Sequence, residues 1–330
     1  MTKTALITGI TGQDGYYLSQ LLLQRGYRVV GLVPPSRQAS VAKLDELADA
    51  VTIAGVDLTD GAALRQVVVD YQPQEIYNLA APSFVPASWE DPLGTLDLIT
   101  GTATRLLDAV RQAGLETRFY QASSSEIFGD VQASPQAETT GFRPKNPYGA
   151  AKLHAHWTMV HHRDRYGLFA CSGVLYNHES PRRPPQFVTR KVALAAASIK
   201  LGLSDRLSMG NLDAKRDWGY AGDYVEAMWR MLQADTPEDY VIGTGILHTV
   251  EDLVATAFAS VDLEWQKYVD IDPKFLRPDE HFQLVANPTK ANTQLQWHPQ
   301  VSFEQLIATM VQADLTRLQA GTVQPLPALP

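Results

Sequence analysis

Two short stretches of the chain carry side chains whose types and spacing could perform acid–base chemistry. The first, QASSSEIFG, contains Ser124 and Glu126, and the second, NPYGAAKLHAHW, contains Tyr148 and Lys152. The Asn-Pro pair before Tyr148 suits a helix start, which places Tyr148 and Lys152 one turn apart on one helical face. An ammonium beside a phenol favours the phenolate and lowers the pKa of the tyrosine toward neutrality, so the tyrosine can take a proton from a hydroxyl as hydride leaves the same carbon. Such pairs also occur on helix surfaces, but a preceding glycine-rich loop and serine-rich strand end favour catalysis.

The glycine-rich stretch GITGQDG follows the first apolar run and precedes a helical apolar stripe that begins at Leu18. Glycines allow positive φ and let the backbone approach a pyrophosphate, which then lies at the positive end of the following helix. Because a strand comes before it and a helix after it, the stretch predicts a dinucleotide site rather than a plain glycine turn. The predicted cofactor contacts within it are Gly9, Thr11, Gly12, Gln13, Asp14 and Gly15.

The end of the second apolar run bears on which nicotinamide cofactor binds. In GLVPPSRQAS no acidic residue is available for the ribose hydroxyl of NAD, whereas Ser36 and Arg37 could accept the 2′-phosphate of NADP. We therefore expect NADP, with NAD as the alternative, although Arg37 also fits the description of a solvated loop arginine. Asp57 and Leu58 follow the third run and are expected at the adenine, where Asp57 could accept a hydrogen bond from the amine; a helix-capping aspartate is the rival interpretation.

Short β-rich runs recur through the first half of the chain, and each is separated from the next by enough residues for a helix. The runs are TALIT, YRVVGLV, VTIAGVD, EIYNLAA, RFYQASS and LFACSGVLY. Apolar strands that alternate with helices predict a parallel sheet covered on both faces, hence a doubly wound, Rossmann-type α/β fold. After about Asn177 the pattern changes to proline- and arginine-rich loops with isolated helices, such as TVEDLVATAFASV and the C-terminal VSFEQLIATMVQADLTRLQ. We expect a dinucleotide-binding domain over residues 1–176 and a smaller α/β substrate-binding region over 177–330, with some of its segments returning to the first domain.

The composition limits what else the chain could be. It has 330 residues, 45% of them hydrophobic, and a formal net charge of −8 without a lysine- or arginine-rich run, so nucleic acid is not an expected partner. Cys171 is the single cysteine and lies in an apolar run, which fits a reducing compartment. No apolar stretch approaches the about 20 residues that cross a bilayer, so we expect no membrane contact and a cytoplasmic protein. The histidines lack metal-binding spacing, and no metal site is predicted.

A series of longer motifs runs in order along nearly the whole chain. They are GITGQDG, YNLAA, SSSE, YGAAK, LYNHESPRR, VTRK, GNLDAKRDW, DYVEAMW and RPDE. In this order they resemble the GDP-mannose 4,6-dehydratase family, a branch of the extended short-chain dehydrogenases. The serine and Tyr-Lys motifs occur in all extended short-chain dehydrogenases, whereas NHESPRR and GNLDAKRDW are much more specific to this one family.

The resemblance implies a reaction and a role for each catalytic residue. Ser124 and Tyr148 would contact the hydroxyl on carbon 4 of the sugar, with Tyr148 as the base and Lys152 holding the phenolate and the nicotinamide ribose. Glu126 would remove the hydrogen on carbon 5, water would leave from carbon 6, and the stored hydride would return to carbon 6. GDP-mannose would thus become GDP-4-keto-6-deoxymannose with no net consumption of cofactor.

Glu126 separates this reaction from two alternatives. A related nucleotide-sugar epimerase or 4-keto-reductase needs the tyrosine and the lysine but no carboxylate placed at carbon 5, and Glu126 would then be a surface residue that opens a loop. A non-catalytic nucleotide-sensing protein of the same fold needs none of these groups. The intact set of Ser124, Glu126, Tyr148 and Lys152 argues against the sensing protein.

The family motifs also imply which residues surround the two ligands. Arginine and lysine are the natural partners of the two phosphates of a nucleotide sugar. The implied substrate contacts are Ser83, Ser124, Glu126, Asn177, Val188, Lys191, Arg216, Arg277 and Glu280. The implied cofactor contacts beyond the glycine-rich stretch are Leu79, Ala80, Ala81, Ser83, Tyr148, Lys152, His178 and Arg183.

The chain departs from the family pattern at three places. Ser124 stands where the family usually has threonine, which keeps the hydroxyl. Pro35 and Ser36 stand where the family usually has an arginine pair that grips the 2′-phosphate and joins subunits in its tetramer. Pro82 replaces a glutamine beside both ligands. The resemblance implies a homodimer or a homotetramer, since extended short-chain dehydrogenases commonly pair through two helices of each subunit.

Overall fold

A computed structural model describes residues 2–131, 133–275 and 283–325 of the chain. The strands in these ranges are β1 (Thr4–Thr8), β2 (Arg28–Val33), β3 (Thr52–Gly55), β4 (Glu75–Asn78), β5 (Arg118–Ala122), β6 (Ala170–Leu175), β7 (Asn177–Glu179), β8 (Leu207–Met209), β9 (Lys215–Arg216), β10 (Trp218–Tyr220), β11 (Tyr240–Ile242), β12 (His248–Thr249) and β13 (Val269–Ile271). Seven of them form one parallel sheet in the order β11-β6-β5-β4-β1-β2-β3, while β10 pairs with β7, β12 with β9, and β13 with β8.

Helices cover both faces of the seven-stranded sheet. They are α1 (Gln13–Gln24), α2 (Gly61–Tyr71), α3 (Ala87–Glu90), α4 (Pro92–Leu96), α5 (Thr102–Ala113), α6 (Pro147–Tyr166), α7 (Val188–Lys200), α8 (Ala221–Gln233), α9 (Val250–Ala259), α10 (Thr289–Gln294) and α11 (Phe303–Gln319). Helices α1 and α8 pack together on one face, and α2, α5 and α6 pack on the other. The predicted doubly wound α/β fold is therefore confirmed.

Neighbouring residues of the central strand β1 face opposite cores. Ala5 and Ile7 lie in the core under α1 and α8, whereas Leu6 lies in the core under α2 and α5. A strand that is buried on both faces favours apolar residues on both, which is why the runs appeared nearly continuous in the sequence rather than alternating. All six predicted runs coincide with strands, β1 to β6.

Strand β1 also marks the point in the sheet at which the strand order reverses. Its neighbours are β2 on one side and β4 on the other, so the connections from β1 and from β4 leave toward opposite edges. In open α/β sheets ligands bind outside the carboxyl ends of the strands at such a point. The carboxyl ends of β1, β4 and β5 are therefore where a site is expected.

The second half of the chain builds a separate core from α7, α9, α11 and the short strand β8. A buried ion pair joins α7 to α11 in this core, where the Arg190 guanidinium donates to the Asp314 carboxylate at 2.6 Å. The same guanidinium also donates to the carbonyls of Pro181 and Arg183, at 2.7 and 2.9 Å. Helix α11 thereby fixes the backbone of the loop that carries Arg183. Breaking a buried pair of this kind leaves an uncompensated charge, so the loop depends on both partners.

Candidate active site

Four side chains converge where β5 ends and α6 begins. Beyond Ala122 the chain makes a single 3-10 turn, Ser125–Ile127, in which the Ser124 hydroxyl accepts a hydrogen bond from the Glu126 amide at 3.2 Å. Helix α6 follows in the sequence and packs against this turn, bringing Tyr148 and Lys152 from its first turns. The structure thus brings together all four residues that were predicted to be catalytic.

Tyr148 and Lys152 are both buried, with 7% and 3% of their surfaces exposed. The Lys152 ammonium donates to the Ala122 carbonyl at 2.7 Å and lies 5.6 Å from the centre of the Tyr148 ring. Burial lowers the pKa of Lys152 to about 8.

The pKa of the Tyr148 phenol lies above its ordinary value. Burial raises it most, and the charge of Glu126 raises it further, while a hydrogen bond with Ser124 and the charge of Arg183 lower it. The prediction that Lys152 brings this pKa down toward neutrality is wrong for this structure, because desolvation of the buried phenol outweighs the favourable neighbours. The residues that do ease ionisation of the phenol are Ser124 and Arg183.

The Glu126 side chain is held by a residue whose part in the site was not predicted. Its Oε2 atom accepts a hydrogen bond of 2.7 Å from the Asn146 side-chain amide. The sequence pattern identified Asn146 only as a helix start, and the structure confirms that role, since the Asn146 Oδ1 atom accepts from the Gly149 amide at 2.7 Å. No local signal pointed to the second contact, because Glu126 lies in a different element.

A chain of buried polar side chains, also not predicted, runs beneath the site across β1, β4 and β5. The Thr8 hydroxyl donates to Asn78 Oδ1 at 2.7 Å, and the Asn78 amide donates to Gln121 Oε1 at 2.7 Å. Gln121 in turn donates to the Ala122 carbonyl at 3.0 Å, the same carbonyl that holds Lys152. Buried polar groups of this kind must be paired, and polar residues at the ends of apolar strands are the signal that could have identified them.

The glycine-rich loop has a geometry that fits a dinucleotide. Gly9 has φ +71°, and a Cβ on it would lie 3.0 Å from the Ala80 amide nitrogen in the loop after β4. A Cβ on Gly15 would meet the Gly9 carbonyl oxygen at 2.4 Å, so the helix can approach the turn only without a side chain there. Gly12 caps α1 without any side-chain hydrogen bond, which leaves the first amides of the helix for an anion.

The first turn of α1 is joined to β7 by an ion pair. Asp14 Oδ2 lies 2.8 Å from His178 Nε2, and the neighbouring Gln13 side-chain Nε2 donates to the His178 carbonyl at 3.0 Å. Burial pushes the pKa of Asp14 up, but the charge and hydrogen bond of His178 bring it below its ordinary value. Burial likewise pushes the pKa of His178 down, and Asp14 raises it above its ordinary value. The predicted cofactor residues Gln13, Asp14 and His178 therefore form one connected group.

The ion pair predicts a pH-dependent contribution to stability. A carboxylate whose pKa is lowered on folding stabilises the folded state at pH values above the ordinary aspartate pKa of about 4. A histidine whose pKa is raised on folding stabilises the folded state at pH values below its ordinary pKa of about 6.5. The ion pair therefore makes its full contribution between these two pH values. The contribution is lost as pH rises through the raised pKa of His178. We expect Asp14→Asn and His178→Gln to be coupled by about 0.5–3 kcal/mol in the free energy of unfolding near pH 6, and more weakly coupled near pH 10, where the charge attraction is lost. Denaturant titrations of both single variants and the double variant measure this coupling, and equal coupling at both pH values would contradict the assignment.

The residues predicted around the adenosine lie at the ends of β2 and β3. Arg37 is exposed in a 3-10 segment that follows β2, Pro35–Leu47, and Ser40 of this segment donates to the Thr11 hydroxyl at 3.1 Å. Asp57 accepts from the Thr59 amide and hydroxyl at 2.9 and 2.8 Å, while Asp60 caps α2. The helix-cap interpretation of Asp57 is therefore wrong, because its carboxylate closes a turn before the helix. Leu58 is buried beside it.

The loop after β4 begins over the carboxyl end of β1. The amides of Leu79 and Ala80 both donate to the Thr8 hydroxyl at 3.0 Å, which fixes the start of the loop over β1. Further along, past Ala81 and the exposed Ser83, the ring of Phe84 lies 5.7 Å from that of Phe187.

The segment between β7 and α7 carries Arg183, which packs on the same Phe187 ring that Phe84 contacts. Its guanidinium stacks over the Phe187 ring at 3.6 Å, and its Nε atom lies 3.0 Å from the Glu179 carboxylate. The positive charge of Arg183 also lowers the pKa of Tyr148.

The residues predicted to contact the nucleotide are spread over the elements of the second half. Asn177 lies on β7 opposite Trp218 of β10, and Arg216 lies just before β10 on β9. Val188 begins α7, from which the Lys191 ammonium donates to the Ser208 carbonyl at 2.7 Å. The remaining predicted contacts, Arg277 and Glu280, fall outside the described residues.

The described ranges contain no group of three histidine, cysteine, aspartate or glutamate side chains that could hold a metal ion. Among the same residues, no helix has both the length and the apolar character needed to span a bilayer.

Comparisons with known proteins place this geometry in context. The family model described as GDP-mannose 4,6 dehydratase matches residues 6–310. GDP-mannose 4,6 dehydratase 2 of Arabidopsis thaliana is 47% identical over 325 residues, covering 95% of this chain and 87% of its own length. The human GDP-mannose 4,6 dehydratase is 45% identical over 346 residues, with 97% and 93% covered. A Thermus thermophilus UDP-glucose 4-epimerase, solved in complex with NAD, is 28% identical with a TM-score of 0.80 and covers 94% of this chain and 98% of its own.

Proposed function

The chain belongs to the GDP-mannose 4,6-dehydratase family, and from this premise we propose that it converts GDP-mannose to GDP-4-keto-6-deoxymannose and water. Membership in the family makes it a lyase of nucleotide-sugar metabolism. The observation that carries the proposal is the position of Glu126, whose carboxylate lies at the first turn of the helix that bears Tyr148 and Lys152. A base for carbon 4 and a second base for carbon 5 are thereby available at one sugar ring.

The four catalytic residues divide the proton transfers between them. Tyr148, oriented by Ser124, takes the proton of the carbon 4 hydroxyl, and a bound nicotinamide cofactor supplies the hydride acceptor for carbon 4 and the hydride donor for carbon 6. Glu126 takes the proton from carbon 5, which the new ketone has made acidic, and returns it to the hydroxyl that leaves carbon 6 as water. Tyr148 gives its proton to carbon 5 as carbon 6 is reduced, so both residues end as they began. Lys152 would hold the phenolate and the nicotinamide ribose.

The glycine-rich loop supports a nicotinamide cofactor at the amino end of α1. We propose that Gly9, Thr11, Gly12, Gln13, Asp14 and Gly15 hold its pyrophosphate side, with Arg37, Asp57 and Leu58 at the adenosine. Toward the nicotinamide we place Leu79, Ala80, Ala81, Ser83, Tyr148, Lys152, His178 and Arg183. NADP is the cofactor we favour, with NAD as the alternative, because Arg37 is exposed after β2 and no acidic residue stands in GLVPPSRQAS.

The choice of NADP is testable at Arg37. A charge-assisted hydrogen bond to the 2′-phosphate contributes roughly 1.5–3 kcal/mol, so Arg37→Ala is expected to weaken NADP binding by about 10- to 100-fold and to leave NAD binding unchanged. Fluorescence titrations with both dinucleotides measure the two dissociation constants. Lys43→Ala, which removes an exposed cation from the same 3-10 segment, is the matched control. An equal change for both dinucleotides would show that Arg37 does not contact the 2′-phosphate.

The substrate side is proposed from the same family positions. The GDP-sugar would contact Ser83, Ser124, Glu126, Asn177, Val188, Lys191, Arg216, Arg277 and Glu280. We keep the division into residues 1–176 and 177–330 as a proposal for which part of the chain binds which ligand.

We further propose a homodimer or homotetramer in the cytoplasm that binds no nucleic acid and no membrane. Exposed apolar side chains on two helices in contact, Leu93 of α4 at 78% and Trp157 of α6 at 44%, support self-association, and the net charge of −8 disfavours nucleic acid.

A product assay tests the proposed function. The protein mixed with GDP-mannose and NADP is expected to yield a nucleotide sugar lighter by one water molecule, without net formation of reduced cofactor. Mass spectrometry of a panel of nucleotide sugars, each incubated with NADP or with NAD, tests the assignment of the substrate and that of the cofactor in one experiment. If GDP-mannose stays unchanged while another nucleotide sugar is converted, the substrate assignment is wrong.

A further inference from the structure

Asn146 uses both ends of its side-chain amide at the boundary between two elements. Its oxygen accepts from the Gly149 amide at 2.7 Å and so caps α6. Its nitrogen donates to Glu126 Oε2, also at 2.7 Å. One side chain therefore connects the helix that carries Tyr148 to the carboxylate at the end of β5.

We propose that Asn146 is a positioning residue for the elimination step: it holds the Glu126 carboxylate in the orientation that removes the proton from carbon 5. The inference rests on the proposed function. It assigns to Asn146 a part in the second half of the reaction, the loss of the carbon 5 proton and of water, and none in the oxidation of carbon 4.

The backbone of Glu126 is already constrained without Asn146. A Cβ on Gly149 would lie 2.6 Å from the Glu126 carbonyl oxygen, so the first turn of α6 rests directly on this residue. The Glu126 amide donates to the Ser124 hydroxyl at 3.2 Å. What remains mobile is the glutamate side chain, whose rotamer freedom is among the largest of any residue.

The hydrogen bond from Asn146 removes that freedom at the carboxylate itself. A hydrogen bond to an ionised acceptor is shorter and roughly twice as strong as a neutral one, and 2.7 Å is within the range for such bonds. Loss of orientation at a reacting group can cost about 100-fold in rate even when the group is still present. The side chain that caps α6 therefore also affects the rate of the elimination step.

The two functions of Asn146 can be separated by substitution. Serine caps helices about as well as asparagine, but its hydroxyl sits one bond closer to the backbone and does not extend to Glu126 as the amide does. Aspartate also caps, yet it places a second carboxylate where the donor was. Asn146→Ser and Asn146→Asp therefore keep the helix start and remove the hold on Glu126.

Single-turnover kinetics with GDP-mannose and NADP distinguish the two halves of the reaction. In Asn146→Ser we expect oxidation of carbon 4 at the wild-type rate, followed by elimination slowed by about 10- to 100-fold, so that reduced nicotinamide builds up and its absorbance becomes visible. The isotope effect from deuterium at carbon 5 is expected to rise above that of the wild type. Asn146→Asp is expected to show both signatures at least as strongly. Ser302→Asn, the reverse exchange at the cap of α11, is the matched control and is expected to show neither.

The outcomes separate the claims. An Asn146→Ser variant that folds with an unchanged melting temperature and shows no build-up and an unaltered isotope effect overturns the role of Asn146, while wild-type dehydration leaves the proposed function standing. A uniform fall in both steps also overturns it, since that result indicates a structural role alone. A wild-type protein that neither reduces the nicotinamide nor dehydrates GDP-mannose overturns the proposed function and the inference with it.

Discussion

Glu126→Gln is expected to lower kcat for dehydration by about 10²- to 10⁴-fold, the usual contribution of a positioned general base. The amide keeps nearly the same shape, and it still offers an oxygen to the Asn146 amide, but it cannot accept the proton from carbon 5. Oxidation of carbon 4 depends on Tyr148 and Lys152 and is expected to continue. The measurement is the rate of product formation by mass spectrometry, together with the absorbance of reduced nicotinamide in a single turnover.

Glu116→Gln is the control for this variant, since Glu116 is an exposed glutamate between α5 and β5. It is expected to leave both steps unchanged. If Glu126→Gln retained most of the wild-type turnover, the chain would act as an epimerase or a reductase, for which no base at carbon 5 is needed, and the dehydratase proposal would have to be abandoned.

Tyr148→Phe is expected to reduce turnover by a similar factor, about 10²- to 10⁴-fold, but at the first step rather than the second. Without the phenol the proposed acceptor of the proton from the carbon 4 hydroxyl is missing, so reduced nicotinamide is expected not to build up even in a single turnover. The contrast with Glu126→Gln is the informative result, because one variant stops before the oxidation and the other after it. Stopped-flow absorbance measures both.

Tyr166→Phe, a change of the same kind at a half-exposed position near the end of the same helix, is the control. It should behave as the wild type does. Build-up of reduced nicotinamide in Tyr148→Phe at the wild-type rate would assign the first proton transfer to another group.

Much of the fold was predictable because parallel strands carry a simple signal. Strands β1, β2, β4, β5 and β6 are almost wholly buried, so each appears as a mostly apolar run, and β3 at the sheet edge is half-buried. Helices α9 and α11 were also predicted, and each begins with a capping box, at Thr249 and at Ser302. Strand β11 was not predicted, since its three residues are too few to give a pattern. The 3-10 segment after β2 was missed for a different reason: its residues lack any helical periodicity.

The site was predictable only where the type and local spacing of a residue are enough to indicate its role. Tyr148 and Lys152 are recognisable from their spacing, and the glycines from the turn that they permit. Asn146, Asn78 and Gln121 act through partners in other elements, and such pairings depend on how strands and helices are placed in space. The direction of the Tyr148 pKa shift was mispredicted for the same reason, since burial is a property of the packed molecule.

In chain order, β11 is the last strand of the seven-stranded sheet, and it follows several helices and short strands of the second half. Strand β11 pairs with the edge of β6. Just before β11 in the chain, at the end of α8, the carbonyls of Leu232 and Ala234 accept hydrogen bonds from the Arg118 guanidinium of β5, at 2.7 and 2.8 Å. A nascent chain that has emerged only as far as residue 176 would therefore expose an unpaired β6 edge and an apolar face that α8 later covers. Residues 1–176 are therefore expected to be unstable as an excised fragment, because β11 and α8, which complete their sheet and core, come later in the chain.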